Sequence, residues 1–171
     1  PRADFIKKVD EIKVIKEEMD ITQGKLVMGY RCNVDYKDEF KYYSLFVGSN
    51  VLGGGPHSKL FVNVREKESL CYYIYSSLEK YKTSMFISSG IESENYDKTV
   101  ELIGEQLKSL KEGKISDEEL LNSKSAIISS LKTIKDSLGG SSDFYFSQSM
   151  GGTNTTVEKI IEMIEKVTVS D

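Results

Sequence analysis

Between Lys25 and Val34 the even positions Leu26, Met28, Tyr30, Cys32 and Val34 are apolar or aromatic, while Gly29, Arg31 and Asn33 fall between them. A period of two places one side of the chain inward and predicts a strand with one buried face. Upstream, Glu11 to Met19 fits either a helix or a strand. The reading adopted is a strand around Lys13 to Glu17 that enters the same sheet through the turn Thr22-Gln23-Gly24. From Glu39 to Leu52 the spacing lengthens to three and four residues, through Tyr42, Leu45, Phe46, Ser49 and Leu52. That spacing predicts an amphipathic helix, and Gly53-Gly54-Gly55-Pro56 supplies a strong stop. Ser58 is suited to N-cap a short second helix with Leu60, Phe61 and Val64 inward and Arg65, Glu66 and Lys67 toward its end.

Tyr72–Leu78 and Met85–Ile91 are rich in aromatic, β-branched and serine residues, and the polar stretch Glu79-Lys80-Tyr81-Lys82 separates them. They predict an antiparallel hairpin. Tyr96, Val100, Ile103, Leu107 and Leu110 then trace one helical face up to Gly113. Ser116-Asp117-Glu118-Glu119 reads as a capping box that opens a long helix through Leu120, Ile127, Leu131, Ile134 and Leu138 to Gly139-Gly140. A short helix around Ser141 to Met150 and another after Thr155-Thr156-Val157-Glu158 complete the pattern. Strands come early and helices late, with hairpin-type connections. The fold class is therefore α+β: an antiparallel sheet with helices packed on one face.

At 171 residues the chain is long enough for one well-buried core, so a single domain over 1–171 is expected, with residues 1–24 as a linker or edge strand leading into it. It opens at Pro1-Arg2-Ala3 and closes at Val169-Ser170-Asp171, where Ser170 or Asp171 resembles the start of another helix. The expectation is a C-terminal fragment of a longer two-domain chain. No apolar run approaches the roughly 18 residues of a membrane span, and no signal-peptide pattern is present, so a cytoplasmic address and no membrane partner are expected. The net charge of −4 and the dispersal of the basic residues argue against nucleic acid as a partner. Cys32 and Cys71 read as reduced core thiols, since neither a CxxC nor a secreted disulfide framework accompanies them.

Candidate chemistry narrows quickly. His57 is the sole histidine, and a catalytic zinc site needs three protein ligands, so His57 reads as a loop residue and no metal site is expected in this chain. Gly53-Gly54-Gly55 lacks both phosphate-loop patterns and follows a helix instead of a strand, which favours a helix stop. No GxSxG elbow is present. Arg65 and Tyr72 remain, seven residues apart at a helix end and a strand start. One reading is structural: an arginine set against a helix dipole, and a half-buried strand tyrosine. The other is a guanidinium and a phenol brought to one end of a sheet, able to hold a peptide carbonyl.

The residues Leu52-Gly53-Gly54-Gly55, Ser58-Lys59-Leu60-Phe61 and Arg65-Glu66-Lys67-Glu68-Ser69-Leu70-Cys71-Tyr72 resemble the second-domain signature of the pitrilysin/insulinase family of zinc peptidases, which includes the mitochondrial processing peptidases. The resemblance implies one of two related α+β halves that close around a peptide. The other half would carry the inverted HxxEH zinc motif, so zinc is expected in the parent and none in this chain. Tyr72 would donate its hydroxyl to the scissile carbonyl as a catalytic residue, Arg65 would hold a neighbouring carbonyl or carboxylate, and Gly54 and Gly55 would join them in binding substrate. The implied partners are a peptide or unfolded polypeptide and the N-terminal domain of the parent or a homologous subunit.

Since the chain itself has no zinc motif, that motif lies upstream, lies in a partner, or is lost. The main reading is the substrate-binding half of a peptidase. The alternative is a noncatalytic homologue that binds a peptide or a partner. A third reading is an oligomerisation module using Tyr73, Tyr75 and Tyr81.

Overall fold

The computed structural model describes residues 9–82 and 84–171. Strand β1 (Gly24–Arg31) follows the period-two pattern, with Leu26 buried and Met28 and Tyr30 half-buried. It stops short of Val34 because Asn33 turns left-handed, at φ 53°. Strands β2 (Cys71–Glu79) and β3 (Ser84–Ile91) form the expected hairpin, and all pairings are antiparallel in the order β1-β3-β2. The edge strands β1 and β2 thus flank the last strand in sequence.

The strand expected around Lys13 to Glu17 is not formed. The described residues before β1 have no regular structure, and Ile12 and Ile15 are 90% and 82% exposed. Apolar residues at Ile12, Val14 and Ile15 do not alternate along a strand that has a buried face to fill, so nothing draws this segment into the sheet.

Helix α1 (Glu39–Gly53) is N-capped by Asp38 and lies against β2. Its residue Leu52 joins a core with Leu26, Ile74, Ile87 and Ile103, the last from helix α2 (Tyr96–Lys111). Its other side contributes Tyr42, Val47 and Val51 to a second core with Ile127, Ile160 and Ile164 from helices α3 (Asp117–Thr133) and α5 (Val157–Lys166). The result is a sheet, a helical layer upon it, and further helices beyond, all on one face. The capping box of α3 forms as the sequence indicates, with Ser116 and Glu119 each bonding the other's backbone.

One long helix through Leu138 is replaced by two. α3 ends in a short 3-10 turn, Ser137 is extended, and helix α4 (Leu138–Gly151) starts afresh. The Ser137 hydroxyl accepts the Gly140 N–H at 3.2 Å, a side-chain cap that opens α4. Gly139 and Gly140 therefore sit in the first turn of a helix and do not stop one. A Cβ on Gly140 would come 3.3 Å from the Ile134 carbonyl, so a small residue lets the two helix ends approach. Leu138, expected on a buried stripe, is 94% exposed.

Candidate functional site

The chain leaves α1 through Gly53, Gly54 and Gly55. Gly53 is buried against β2, and Gly54 donates its N–H to the Asn50 carbonyl at 2.8 Å as the C-cap. Gly55 accepts the Ser58 hydroxyl at 2.6 Å. Ser58 is thus buried and turned back toward the glycine, and it does not cap the following helix. That helix runs on as a π-helical segment, Phe61–Glu66, with Leu60 and Val64 fully buried. Arg65 is exposed in its last turn, with the guanidinium carbon 4.7 Å from the centre of the Phe61 ring, a cation–π contact.

From here the backbone bends sharply into β2. Ser69, at φ 54°, donates to the Arg65 carbonyl, and Leu70 donates to the Val64 carbonyl. Cys71 then pairs with Ile91 and Tyr73 with Gly90, so two residues of β2 span one step of β3. The extra residue is Tyr72. A bulge of this kind re-aims a side chain, and Tyr72 is 54% exposed.

The Tyr72 hydroxyl donates to Glu92 Oε1 at 2.8 Å. Because that carboxylate accepts its proton and sets a negative charge beside it, Tyr72 is a weaker acid than an ordinary phenol. The two line a shallow depression with Ser69, Leu70, Cys71 and Asn95. Burial pushes the neighbouring Cys71 thiol up, offset in part by a bond from Ser89 and by the positive charge of Arg65. Arg65 and Tyr72 thus flank the same turn at the start of β2, and the charge of one is felt beside the other. Gly54 and Gly55 lie at the far end of the π-helical segment.

The face of the sheet turned away from the helices is open and mixed, with aromatic and apolar residues among serines, glycines and the charged Lys25, Arg31 and Glu79. Val27, Ser88 and Tyr75 share one row across the strands, Gly29, Phe86 and Ser77 the next, and Lys25, Gly90 and Tyr73 a third. Val27, Tyr75 and Phe86 are 61%, 47% and 39% exposed. Tyr73 and Tyr75 stack with centroids 6.0 Å apart. A Cβ on Gly90 would lie 2.4 Å from Tyr73 Cε1, so the ring rests directly on the backbone there. Tyr81 is not part of this surface. Its hydroxyl donates to the Ser147 carbonyl at 2.6 Å and its ring packs edge-on against Tyr36, within the helical layers.

The donor set for zinc does not fit. Among the described residues no three of histidine, cysteine, aspartate and glutamate converge on one point, and His57 Nε2 lies 3.3 Å from Asn50 Oδ1. Cys32 and Cys71 are free thiols, each half-buried. Among the described residues no helix is long and apolar enough to cross a membrane.

A three-stranded antiparallel sheet with helices on one face and a bulged edge strand is an α+β domain, and among its described residues no metal-ligand cluster is present. The sequence pattern of the family described as "Peptidase M16 inactive domain" matches residues 2–127, and the chain belongs to that family. It is 38% identical over 164 residues to a "Probable inactive metalloprotease YmfF" of Bacillus subtilis (strain 168), covering 96% of this chain and 38% of that protein. An "Uncharacterized zinc protease YmxG" of the same organism is 34% identical over 119 residues, covering 68% of this chain and 29% of the relative. A conserved protein from Enterococcus faecalis V583 superposes with a TM-score of 0.81 at 33% identity, over 88% of this chain and 35% of that one. The chain thus spans little more than a third of the length of these relatives, or less.

Glu92 is the site residue that the sequence did not reveal. It is 20 positions from Tyr72 and reaches it only because the β2–β3 hairpin returns the chain to the same end of the sheet. No local pattern marks it.

Proposed function

We propose that this domain is the noncatalytic, peptide-binding half of an M16-type protein, and that it holds an extended polypeptide at the start of β2. The observation that carries this reading is the bulge at Tyr72, which leaves its ring 54% exposed at the start of β2, seven residues after the exposed Arg65, in a strand whose outer face also exposes Tyr75. A guanidinium, which only donates, and a phenol O–H, which has one proton to donate, are suited to peptide carbonyls or a terminal carboxylate. Tyr73, Tyr75, Phe86 and Val27 offer apolar contact to side chains that an unfolded segment leaves bare. The relative named as a probable inactive metalloprotease supports a binding role without turnover. The partner that covers the peptide is another domain of the same parent or a homologous subunit.

A second reading, the substrate half of a working zinc peptidase, is favoured by the relative named as a zinc protease and by the presence of both Arg65 and Tyr72. There the metal belongs to the other domain. Tyr72 would donate to the scissile carbonyl oxygen as negative charge develops on it, an interaction worth a few kcal/mol of barrier in preorganised sites. Zinc content of the full-length protein separates the two readings. Both require peptide binding to weaken in Arg65→Ala and Tyr72→Phe, measured with fluorescein-labelled carboxymethylated casein. Unchanged affinity in both variants would remove this end of the sheet as the binding site.

A further inference from the structure

The hydroxyl that this reading assigns to the peptide is already engaged. Tyr72 donates to Glu92 Oε1 at 2.8 Å, and a phenol has one proton to give. Glu92 is placed for this contact by its surroundings. It follows Ile91, whose Cα pairs with Cys71, and its carbonyl accepts the Asn95 N–H at 3.0 Å in the turn that begins α2. Asn95 in turn reaches the Leu70 carbonyl at 3.5 Å, tying the same turn to the start of β2. The carboxylate therefore sits on a braced turn, and the phenol on a bulge.

We propose that Glu92 is a latch on Tyr72, a positioning residue that holds the phenol in a resting orientation until a peptide carbonyl displaces it. This rests on the peptide-binding reading of Tyr72. Binding then exchanges one acceptor for another, and the domain's affinity is set below what Arg65 and Tyr72 could reach unopposed. Two consequences are measurable in the full-length protein. Removing the carboxylate frees the donor, so Glu92→Ala tightens binding of labelled carboxymethylated casein about two- to fivefold, the scale of an exposed pair with a charged partner. Glu92→Gln, whose amide oxygen still accepts a hydrogen bond but has lost the charge, falls between wild type and Glu92→Ala.

The test is a double-mutant cycle. In a Tyr72→Phe background the Glu92→Ala change leaves casein affinity where it was, because there is no hydroxyl to release. In parallel, the 13Cζ resonance of Tyr72, assigned by its loss in Tyr72→Phe, titrates at lower pH in Glu92→Ala than in wild type. Weaker binding in Glu92→Ala, or equal tightening in both backgrounds, overturns the latch. If Tyr72→Phe alone binds as wild type does while the Tyr72 resonance still responds to Glu92→Ala, the contact is real but its peptide-binding premise is gone, and the latch goes with it.

Discussion

Gly53→Ala and Gly48→Ala are the same substitution in the same helix, and the packing gives them opposite signs. Helix propensity alone favours alanine over glycine by about 1 kcal/mol in a helix interior. At Gly48 a Cβ would meet nothing within 4 Å, so that gain is available. At Gly53 the new Cβ would lie 2.5 Å from the backbone nitrogen of Ser76, about 0.9 Å inside the 3.4 Å at which ordinary contact begins, and 2.9 and 3.0 Å from Ser76 Oγ and Leu60 Cδ1. The backbone of β2 cannot swing aside as a side chain does, and Ser76 also holds the Ser49 carbonyl at 2.5 Å. α1 must retreat from β2 or bend. Overpacking of this kind costs about 1–3 kcal/mol, and the rigid partner argues for the upper part of that range. Gly53 is the last residue of α1, where little of the propensity gain applies, so Gly53→Ala loses about 2 kcal/mol, whereas Gly48→Ala gains about 0.5–1 kcal/mol. Urea denaturation followed by circular dichroism, at unchanged m-value, reads both; the first corresponds to a fall in Tm of about 4–8 °C. If Gly53→Ala proves as stabilising as Gly48→Ala, the close approach of α1 to β2 is wrong, and with it the account of how β2 is positioned.

Three further outcomes follow from particular contacts. Lys59 is buried at 8% side-chain exposure and paired with Glu119 at 2.8 Å, whereas Glu119 keeps 25% of its side chain exposed. Breaking the pair is therefore asymmetric: Glu119→Gln leaves a buried ammonium and costs about 2–3 kcal/mol, below the usual range because of that exposure, while Lys59→Met leaves a carboxylate that water and Ser116 can serve and costs about 1 kcal/mol or less. Equal costs in urea melts would argue against the burial of Lys59. Burial alone would raise the Glu119 carboxyl, but hydrogen bonds from Lys59 and the Ser116 N–H outweigh it and hold it below 4.5. Its contribution is then complete above the ordinary glutamate value and is lost as pH falls through the lower folded one. Wild type should accordingly lose stability below about pH 4.5 more steeply than Glu119→Gln, and parallel pH profiles would contradict this. Thr99 and Ser123 bury hydroxyls that have no partner among the described residues, so Thr99→Val and Ser123→Ala are expected to be neutral or stabilising by up to about 1 kcal/mol; a loss above that would mean a bond is being made.

The elements with strong periodicity were legible in the sequence. β1, the hairpin, α1 and α2 follow from alternation or three-four spacing, and the Ser116/Glu119 capping box was readable residue by residue. What failed shares a cause, which is tertiary context. Ile12, Val14 and Ile15 carry strand propensity but find no sheet neighbour. Ile134 and Leu138 continue the stripe of α3, yet the cap by Ser137 begins another helix. Glycine at 139 and 140 signals a stop only when helix-end packing is ignored. For the site, Arg65 and Tyr72 were recognisable as a spaced pair, but the bulge that exposes Tyr72 depends on the register of β2 with β3. Glu92 depends on the same register and had no sequence signal at all.

The most direct test of the central claim, that extended polypeptide is held at the start of β2 and on the open sheet face, is photo-crosslinking of the full-length protein. A benzophenone-bearing unfolded polypeptide is irradiated on the protein and the adducts are mapped by mass spectrometry. Adducts are expected on Tyr72, Tyr73, Tyr75, Phe86 and Val27, competed away by unlabelled carboxymethylated casein. Competable adducts confined to the exposed residues of α4, such as Leu138, Tyr145 and Phe146, with none on the sheet, would contradict the claim.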